Sequence, residues 1–420
     1  MKKPLHKRIA HHVRKYHRHF TKYLYERDTV FATISVFIFL VLLGLIPINF
    51  YVLNPMKLAL KDFDFNDIAY SKGKKGADSL DRRIVIVNIG NSNREEMAHL
   101  IESAAAMKPK VIGLDVLFEG EKDEHQDSIL STVLKKTKNL VSVSRLIPED
   151  HDIIVDSNFF DSSISMRGAA NLIGEDIGTI RYYAPFEGVN GKKYPHITSA
   201  IIREYDRSAY EKLEKRHKAV ETINYTRKIS DESTRDLKGY QIIQPDNLLE
   251  GNVEEAILKD KIVLIGYINP NPDDIEDKKF TPMNSKFAGK QKPDMNGVVV
   301  QANIISMVLD NNYIKKTPKW VAWLVAALIG WIHMSLFIRY YLEDHIWFHL
   351  VAKLAQVFSA IFFAYLGIFI FDKFAIKLDM KYTLYVIVLA VDVIYFYEAL
   401  VVWLHKKFGF KTVFHLHHHG

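Results

Sequence analysis

The sequence predicts an α/β extracytoplasmic domain with a mainly parallel sheet, joined to an all-α membrane region of four spans. Three observations carry this expectation. Apolar residues crowd into four blocks while the long middle is as charged as a soluble protein. The N-terminus is strongly basic. Across the middle, short apolar runs alternate with helical stripes, as in a sheet whose strands are covered on both faces. The chain has 420 residues and a net charge of +7, and the middle stretch is long enough to bury a core of its own. It has no cysteine, which excludes disulfide staples and thiolate chemistry.

The basic N-terminus holds Lys2, Lys3, Lys7, Arg8, Arg14, Lys15, Arg18, Lys22 and Arg27 ahead of the first apolar block. The positive-inside rule places such a segment in the cytoplasm. It also attracts anionic headgroups, whereas a basic tail beside a span is poor evidence for nucleic-acid binding. The first block, Thr29 to Leu53, is too long for a usual signal-peptide core and no small-residue cleavage pattern follows it. It reads as a retained anchor. Three further blocks run from Trp320 to about Tyr341, from about Leu354 to Phe371 and from Tyr382 to Leu404. Trp320, Trp323, Tyr340, Tyr341, Trp347, Tyr382 and Trp403 sit near their ends, where amphipathic rings favour the interface. The expected layout is a cytoplasmic tail (1–28), one transmembrane helix (29–53), an extracytoplasmic domain (54–319), three transmembrane helices (320–404) and a second cytoplasmic tail (405–420). Lys373, Lys377 and Lys381 fit this poorly, since the layout puts their loop outside; the stronger N-terminal signal overrides them.

Residues 54–80 read as a polar lead-in. Ile84 to Ile89 then forms a short apolar strand, and Met97, Leu100, Ile101, Ala104 and Ala105 form a helical stripe closed by Pro109. Val111 to Phe118 is a second strand, Ile129, Leu130, Val133 and Leu134 mark a second helix, and Leu140 to Val143 is a third strand. This β-α-β-α-β order predicts parallel strands with right-handed crossovers. Residues 168–186 read as strands and turns. Pro195 heads a helix with Ile197, Ala200, Ile201 and Tyr205 on one face. Residues 206–240 are highly charged and are expected to project as a surface insertion. Ile262 to Gly266 is another central strand. Ala302, Ile305, Val308 and Leu309 mark a final helix that leads almost directly into the second span.

At this point the residues resemble a known family. The stretches Arg83–Gly90 (RIVIVNIG), Lys110–Phe118 (KVIGLDVLF), Tyr194–Ile202 (YPHITSAII), Lys261–Gly266 (KIVLIG) and Gly297–Trp320 look like the second type of CHASE domain, an extracellular sensory domain of bacterial cyclases and histidine kinases. They occur in the family's order, and one span before and three after is the family's usual layout. The resemblance implies a multi-pass protein of the bacterial inner membrane with its central domain in the periplasm. Two departures stand out. Family members often carry acids just after the first strand, where this chain has Gly90-Asn91-Ser92. Members usually continue into a cytoplasmic kinase or cyclase, which is not expected in the short stretch after the last block.

Several residues are candidates for chemistry. Asp115 ends a buried strand with Glu119 close by, and ligands collect outside the carboxyl ends of strands in open α/β sheets. The competing reading is a loop or helix cap. Asp273, Asp274, Glu276 and Asp277 follow the strand ending at Gly266. Carboxylates converging there suit a hard cation such as calcium, but the spacing is not that of an EF-hand and a solvated loop is the plainer reading. Gly73 to Gly76 lacks the spacing of a phosphate-binding loop. The histidines of both tails (His6, His11, His12, His17, His19, His415, His417, His418, His419) read as solvated. Within the spans, His333, Asp392 and Glu398 stand out, since a charge at the bilayer centre costs roughly 2.5–3.5 kcal/mol on insertion scales. Such groups fix packing between helices, the plainer reading, or form a proton-sensitive or partner-binding site.

The leading expectation is a non-enzymatic membrane sensor or adaptor, without cofactor or resident metal. Its partners would be the lipid bilayer and an unidentified membrane, periplasmic or cytoplasmic protein, with a homo-oligomer as a further candidate state and no nucleic acid. The alternatives are a structural subunit of an inner-membrane complex and a proton-linked membrane device using Asp392, Glu398 and His333.

Overall fold

The computed structural model describes residues 23–45, 66–71, 79–149, 152–156, 158–174, 178–229, 239–269, 271, 274–284, 292–342 and 347–414. The N-terminal tail with its histidines, most of residues 54–80 including Gly73–Gly76, Asp273, and the C-terminal histidines lie outside the described residues. The chain divides into two compact units, Pro55–Ile314 and Met1–Asn54 with Lys315–Gly420.

The first unit is built on one sheet. Its strands are β1 (Leu80–Asn88), β2 (Val111–Leu114), β3 (Leu140–Glu149), β4 (Asp152–Asp156), β5 (Met166–Ala169), β6 (Gly239–Ile243) and β7 (Ile262–Gly266). Six run parallel in the order β6-β1-β7-β2-β3-β5, and β4 folds back antiparallel on the far half of β3. The expected β-α-β-α-β start is present, but β7, the last of this sheet's strands in sequence, inserts between β1 and β2. All five residues of β7 are buried, as a central parallel strand requires.

Alternate strand residues face opposite layers. Val85, Val87, Ile112, Leu114, Val263 and Ile265 join one core with Leu100 and Ile101 of α1 (Arg94–Ala106) and Leu130 and Leu134 of α2 (Glu124–Lys136). Helix α1 starts at a capping box in which Asn93 and Glu96 bond each other's backbone N–H. Asp123 caps α2. The other face carries α3 (Ile197–Tyr205), α4 (Arg207–Lys215) and, after the short α5 (Pro245–Leu249), α6 (Gly297–Leu309). Pro195 precedes α3, whose cap is His196.

Residues 206–240 differ from the expected surface insertion. The charges of α4 cover one face only; Ala209, Tyr210 and Leu213 are buried. Ile223, Asn224 and Tyr225 are buried too. Asn303 of α6 accepts from the backbone N–H of Thr226 (3.0 Å) and Arg227 (3.1 Å) through its side-chain oxygen, so the segment is laced to α6. Its high average charge conceals a narrow apolar stripe.

The second unit contains four helices long and apolar enough to cross a membrane: span 1 (Arg27–Leu45), span 2 (Lys319–Leu342), span 3 (Phe348–Phe374) and span 4 (Lys381–Phe408). Span 3 begins earlier than its apolar block and so takes in Lys353. Span 4 packs against the other three, which makes span 1 part of the bundle. Gly330 of span 2 allows this closeness, because a Cβ there would lie 2.6 Å from Val386 Cγ1 of span 4. At one end of the bundle, Asp28 accepts from the Tyr397 hydroxyl (2.6 Å) and the Val413 N–H (2.8 Å). At the other end, Lys315 and Lys316 pair with Ile376 and Lys377. The lysine-bearing loop between spans 3 and 4 therefore lies at the end where span 2 begins.

One buried ion pair fixes the first layer of the α/β unit. Arg94 meets Asp127 at 2.5 Å with both side chains under 9% exposed, and it donates to the carbonyl oxygen of Gly120 (2.7 Å). Removing one member of such a pair strands the other charge. Arg94→Ala should therefore cost the α/β unit about 3–5 kcal/mol, read as a lower urea midpoint in pulse proteolysis of the membrane-embedded chain. An unchanged midpoint would contradict this assignment.

Candidate functional site

The carboxyl edge of the sheet gathers the ends of β1, β7 and β2. Asn88 organises it. Its side-chain oxygen accepts from the N–H groups of Gly90 (3.0 Å) and Ile268 (2.9 Å), and its amide donates to Gln244 (3.1 Å). One buried amide thus joins the ends of β1 and β7 to the chain after β6. Asp115 sits beside this at the end of β2, where its N–H donates to the Ile265 carbonyl (2.8 Å).

The start of α6 closes the edge. A Cβ on Gly266 would lie 3.0 Å from that of Val298 and 3.3 Å from that of Asp115, and a Cβ on Gly297 would lie 3.8 Å from Asp115 Oδ2. The Asp115 carboxylate therefore lies against the first turn of α6. A negative charge is favourable at a helix N-terminus, which is the capping alternative raised by the sequence; a ligand contact from the same position remains compatible. Asn296, the residue before α6, is buried, and its side-chain amide nitrogen has no hydrogen-bond partner among the described residues. Buried polar groups are ordinarily partnered by protein, water or ligand.

The other sequence candidates are placed differently. Glu119 is exposed and faces Arg145 at 3.8 Å, a weak surface pair. Asp274 lies in the loop after β7 and accepts from the Glu276 N–H (3.0 Å). That backbone hydrogen bond holds its carboxyl below its ordinary value. The loop returns through Lys278 and Lys279, which pair with Asn296 and Met295 directly before α6. Among the described residues no cluster of three or more metal-ligating side chains forms.

Helix α6 crosses the sheet from this edge to the opposite one. There Ser306 donates to Asp81 at the start of β1 (2.8 Å) and shares a hydrogen bond with the Tyr240 hydroxyl (2.9 Å). Arg83 binds Asp81 (2.7 Å) and Asp310 (2.8 Å). Burial pushes the Asp81 carboxyl up, but the hydrogen bonds from Arg83 and Ser306 outweigh it and hold the group below its ordinary value.

A second polar cluster, not singled out by the sequence, lies under α3 and α4. His196 caps α3, its ring nitrogen Nδ1 bonds Thr198 (2.8 Å), and its ring meets Tyr183 edge-on. Arg216 pairs with Glu221 at 2.5 Å and stacks over Tyr313 at 3.7 Å. Burial raises the Tyr183 phenol well above its ordinary value and lifts Tyr313 to about 12. It drives His196 down to about 3.

In the helical unit, His333 bonds the Ile329 carbonyl (2.9 Å) and meets Phe337, both on its own helix. Asp392 pairs with Lys353 of span 3 at 3.1 Å. Glu398 accepts from the Tyr341 hydroxyl (2.5 Å). The three intramembrane candidates thus belong to separate contacts; Lys353, outside the expected third span, is the partner that hydropathy alone did not suggest.

A parallel α/β domain between the first and second of four helices long and apolar enough to cross a membrane is the layout of a membrane-anchored protein. The chain belongs to the CHASE2 domain family, whose model matches residues 36–338. CHASE2 domains are extracellular sensory domains, not catalytic ones. No curated protein and no solved structure matches the chain.

His196 makes the fold acid-sensitive. Its folded-state value is depressed to about 3 against an ordinary value of 6.5, so the unfolded chain binds the proton first. Its stabilising contribution is complete above pH 6.5 and is lost as pH falls from there toward 3, by up to about 1.4 kcal/mol per pH unit. His196→Asn, which keeps a capping side chain, should flatten that part of the urea-midpoint profile. A slope identical to that of the unsubstituted protein would refute the assignment.

Proposed function

We propose that the protein is a non-enzymatic membrane sensor or adaptor. Its α/β domain, held in the periplasm, recognises a ligand or an envelope protein at the edge formed by Asp115, Asn88 and the loop after β7. The signal passes through the spans to a separate protein partner. One observation carries this reading: α6 begins against Asp115 and Gly266 at the recognition edge, is buried along its length, and ends at Leu309, shortly before span 2 starts at Lys319. A ligand that displaces its first turn acts on a rigid helix continuous in sequence with the membrane region. A change of this kind needs only a difference in affinity between two positions of the helix.

The basic N-terminus supports placing the domain outside. Protease added to spheroplasts should cut within residues 54–319 and spare both termini; an untouched middle with digested termini would overturn the orientation. Crosslinking in native membranes, followed by capture of the chain, should recover a partner. Asp115→Ala and Gly266→Val should each lower that yield about tenfold without changing membrane insertion. Full partner recovery with both variants would remove the edge from the mechanism, and catalytic turnover by the purified protein would remove the non-enzymatic reading.

A further inference from the structure

Spans 3 and 4 meet along a polar ladder. Gln356 of span 3 donates to the carbonyl oxygens of Ile387 and Val388 (both 2.8 Å). Lys353 pairs with Asp392 (3.1 and 3.3 Å to the two carboxylate oxygens), and His349 shares a hydrogen bond with the Tyr395 hydroxyl (3.1 Å). The rungs are not equally covered. Gln356 is 5% exposed, whereas the Lys353 and Asp392 side chains are 55% and 51% exposed. Span 3 is also the least covered of the last three spans, since little of it is buried by the rest of the bundle. An ion pair is thus presented on the flank of two apolar helices, with exposed Val357 and Val388 beside it. Ionisable groups within spans ordinarily face protein or water and not lipid tails.

We propose that this flank is the interface between two copies of this chain. Both copies insert with one orientation, so a two-fold axis relating neighbours runs along the membrane normal and preserves depth. Lys353 and Asp392 share one depth because they are bonded to each other. Such an axis sets each lysine beside the other copy's aspartate, giving a ring of alternating charge that closes on itself. The flank is therefore complementary to its own copy. A lipid phosphate would satisfy Lys353 but not Asp392, and a different membrane protein would have to present its own matching charges. The dimer does not depend on what the α/β domain recognises.

The chain has no native cysteine, so Val388→Cys introduces its only thiol, one turn before Asp392 and 54% exposed. Oxidation in native membranes should convert this variant to a disulfide-linked species of twice the chain mass. Leu328→Cys on span 2, 47% exposed, should give at least fivefold less. Adding Asp392→Asn to Val388→Cys should lower the yield severalfold, and the exchange Lys353→Asp with Asp392→Lys should restore it. The exchange keeps the pair within the chain, so it decides the matter even where Asp392→Asn inserts poorly. The proposal is overturned if Val388→Cys stays monomeric, if it links no better than Leu328→Cys, if it links to a protein of another mass, or if the exchanged variant fails to link.

Discussion

Helix α6 is the constraint around which the α/β domain is arranged. Every residue from Val298 to Val308 is buried, including Gln301, Asn303 and Ser306. A helix covered on all sides cannot leave its polar groups to bulk water; Asn303 and Ser306 find partners in the protein, while the Gln301 side-chain oxygen has none among the described residues. Asn303 takes the backbone of residues 226 and 227, and Ser306 takes Asp81 and Tyr240. The first turn lies against Asp115. These contacts fix the helix at both edges of the sheet and hold the long crossover segment that a count of charges would assign to solvent.

The same helix spans the sheet from the polar edge at Asp115 to the ion pairs at the opposite edge, and in sequence it ends shortly before span 2. Packed interiors do not deform smoothly; elements shift between discrete arrangements. The helix is clamped at one edge by the Asp81, Arg83 and Asp310 ion pairs and lies at the other against the half-buried Asp115. The clamp and the edge differ in chemistry. The clamp depends on charges paired within the protein, while the edge offers Asp115, Asn88 and Asn296, of which only Asp115 carries a charge.

In the helical unit, polar residues decide how apolar helices meet. Between helices surrounded by lipid the hydrophobic effect offers little preference for one partner over another, so small residues and interhelical hydrogen bonds set the arrangement. Gly330 sets the approach of spans 2 and 4. Asp28 ties span 1 to the end of span 4, Tyr341 ties span 2 to Glu398, and Gln356 and Lys353 tie span 3 to span 4. Of these, Asp392 and Glu398 stand out in the sequence as charges in apolar surroundings. Their partners do not, because Tyr341 reads as an interfacial ring and Lys353 as a residue just before its block.

The sequence by itself determined four membrane helices, the start of a parallel α/β sheet, the final helix leading to span 2, and Asp115 at a strand end. These follow from hydropathy and from periods of 2 and 3.6 residues, which are local properties of the chain. Only the tertiary structure decided that β7 inserts between β1 and β2, that residues 221–229 are threaded against α6, and that Asn88, Asp81 and His196 organise the sheet edges and the layer beneath α3. Ser306 and Asp81 are 225 residues apart, and a hydrogen bond across that distance leaves no periodic trace. The local pattern records which face each element must bury; the identity of the polar groups that meet there is fixed only once the elements have been brought together.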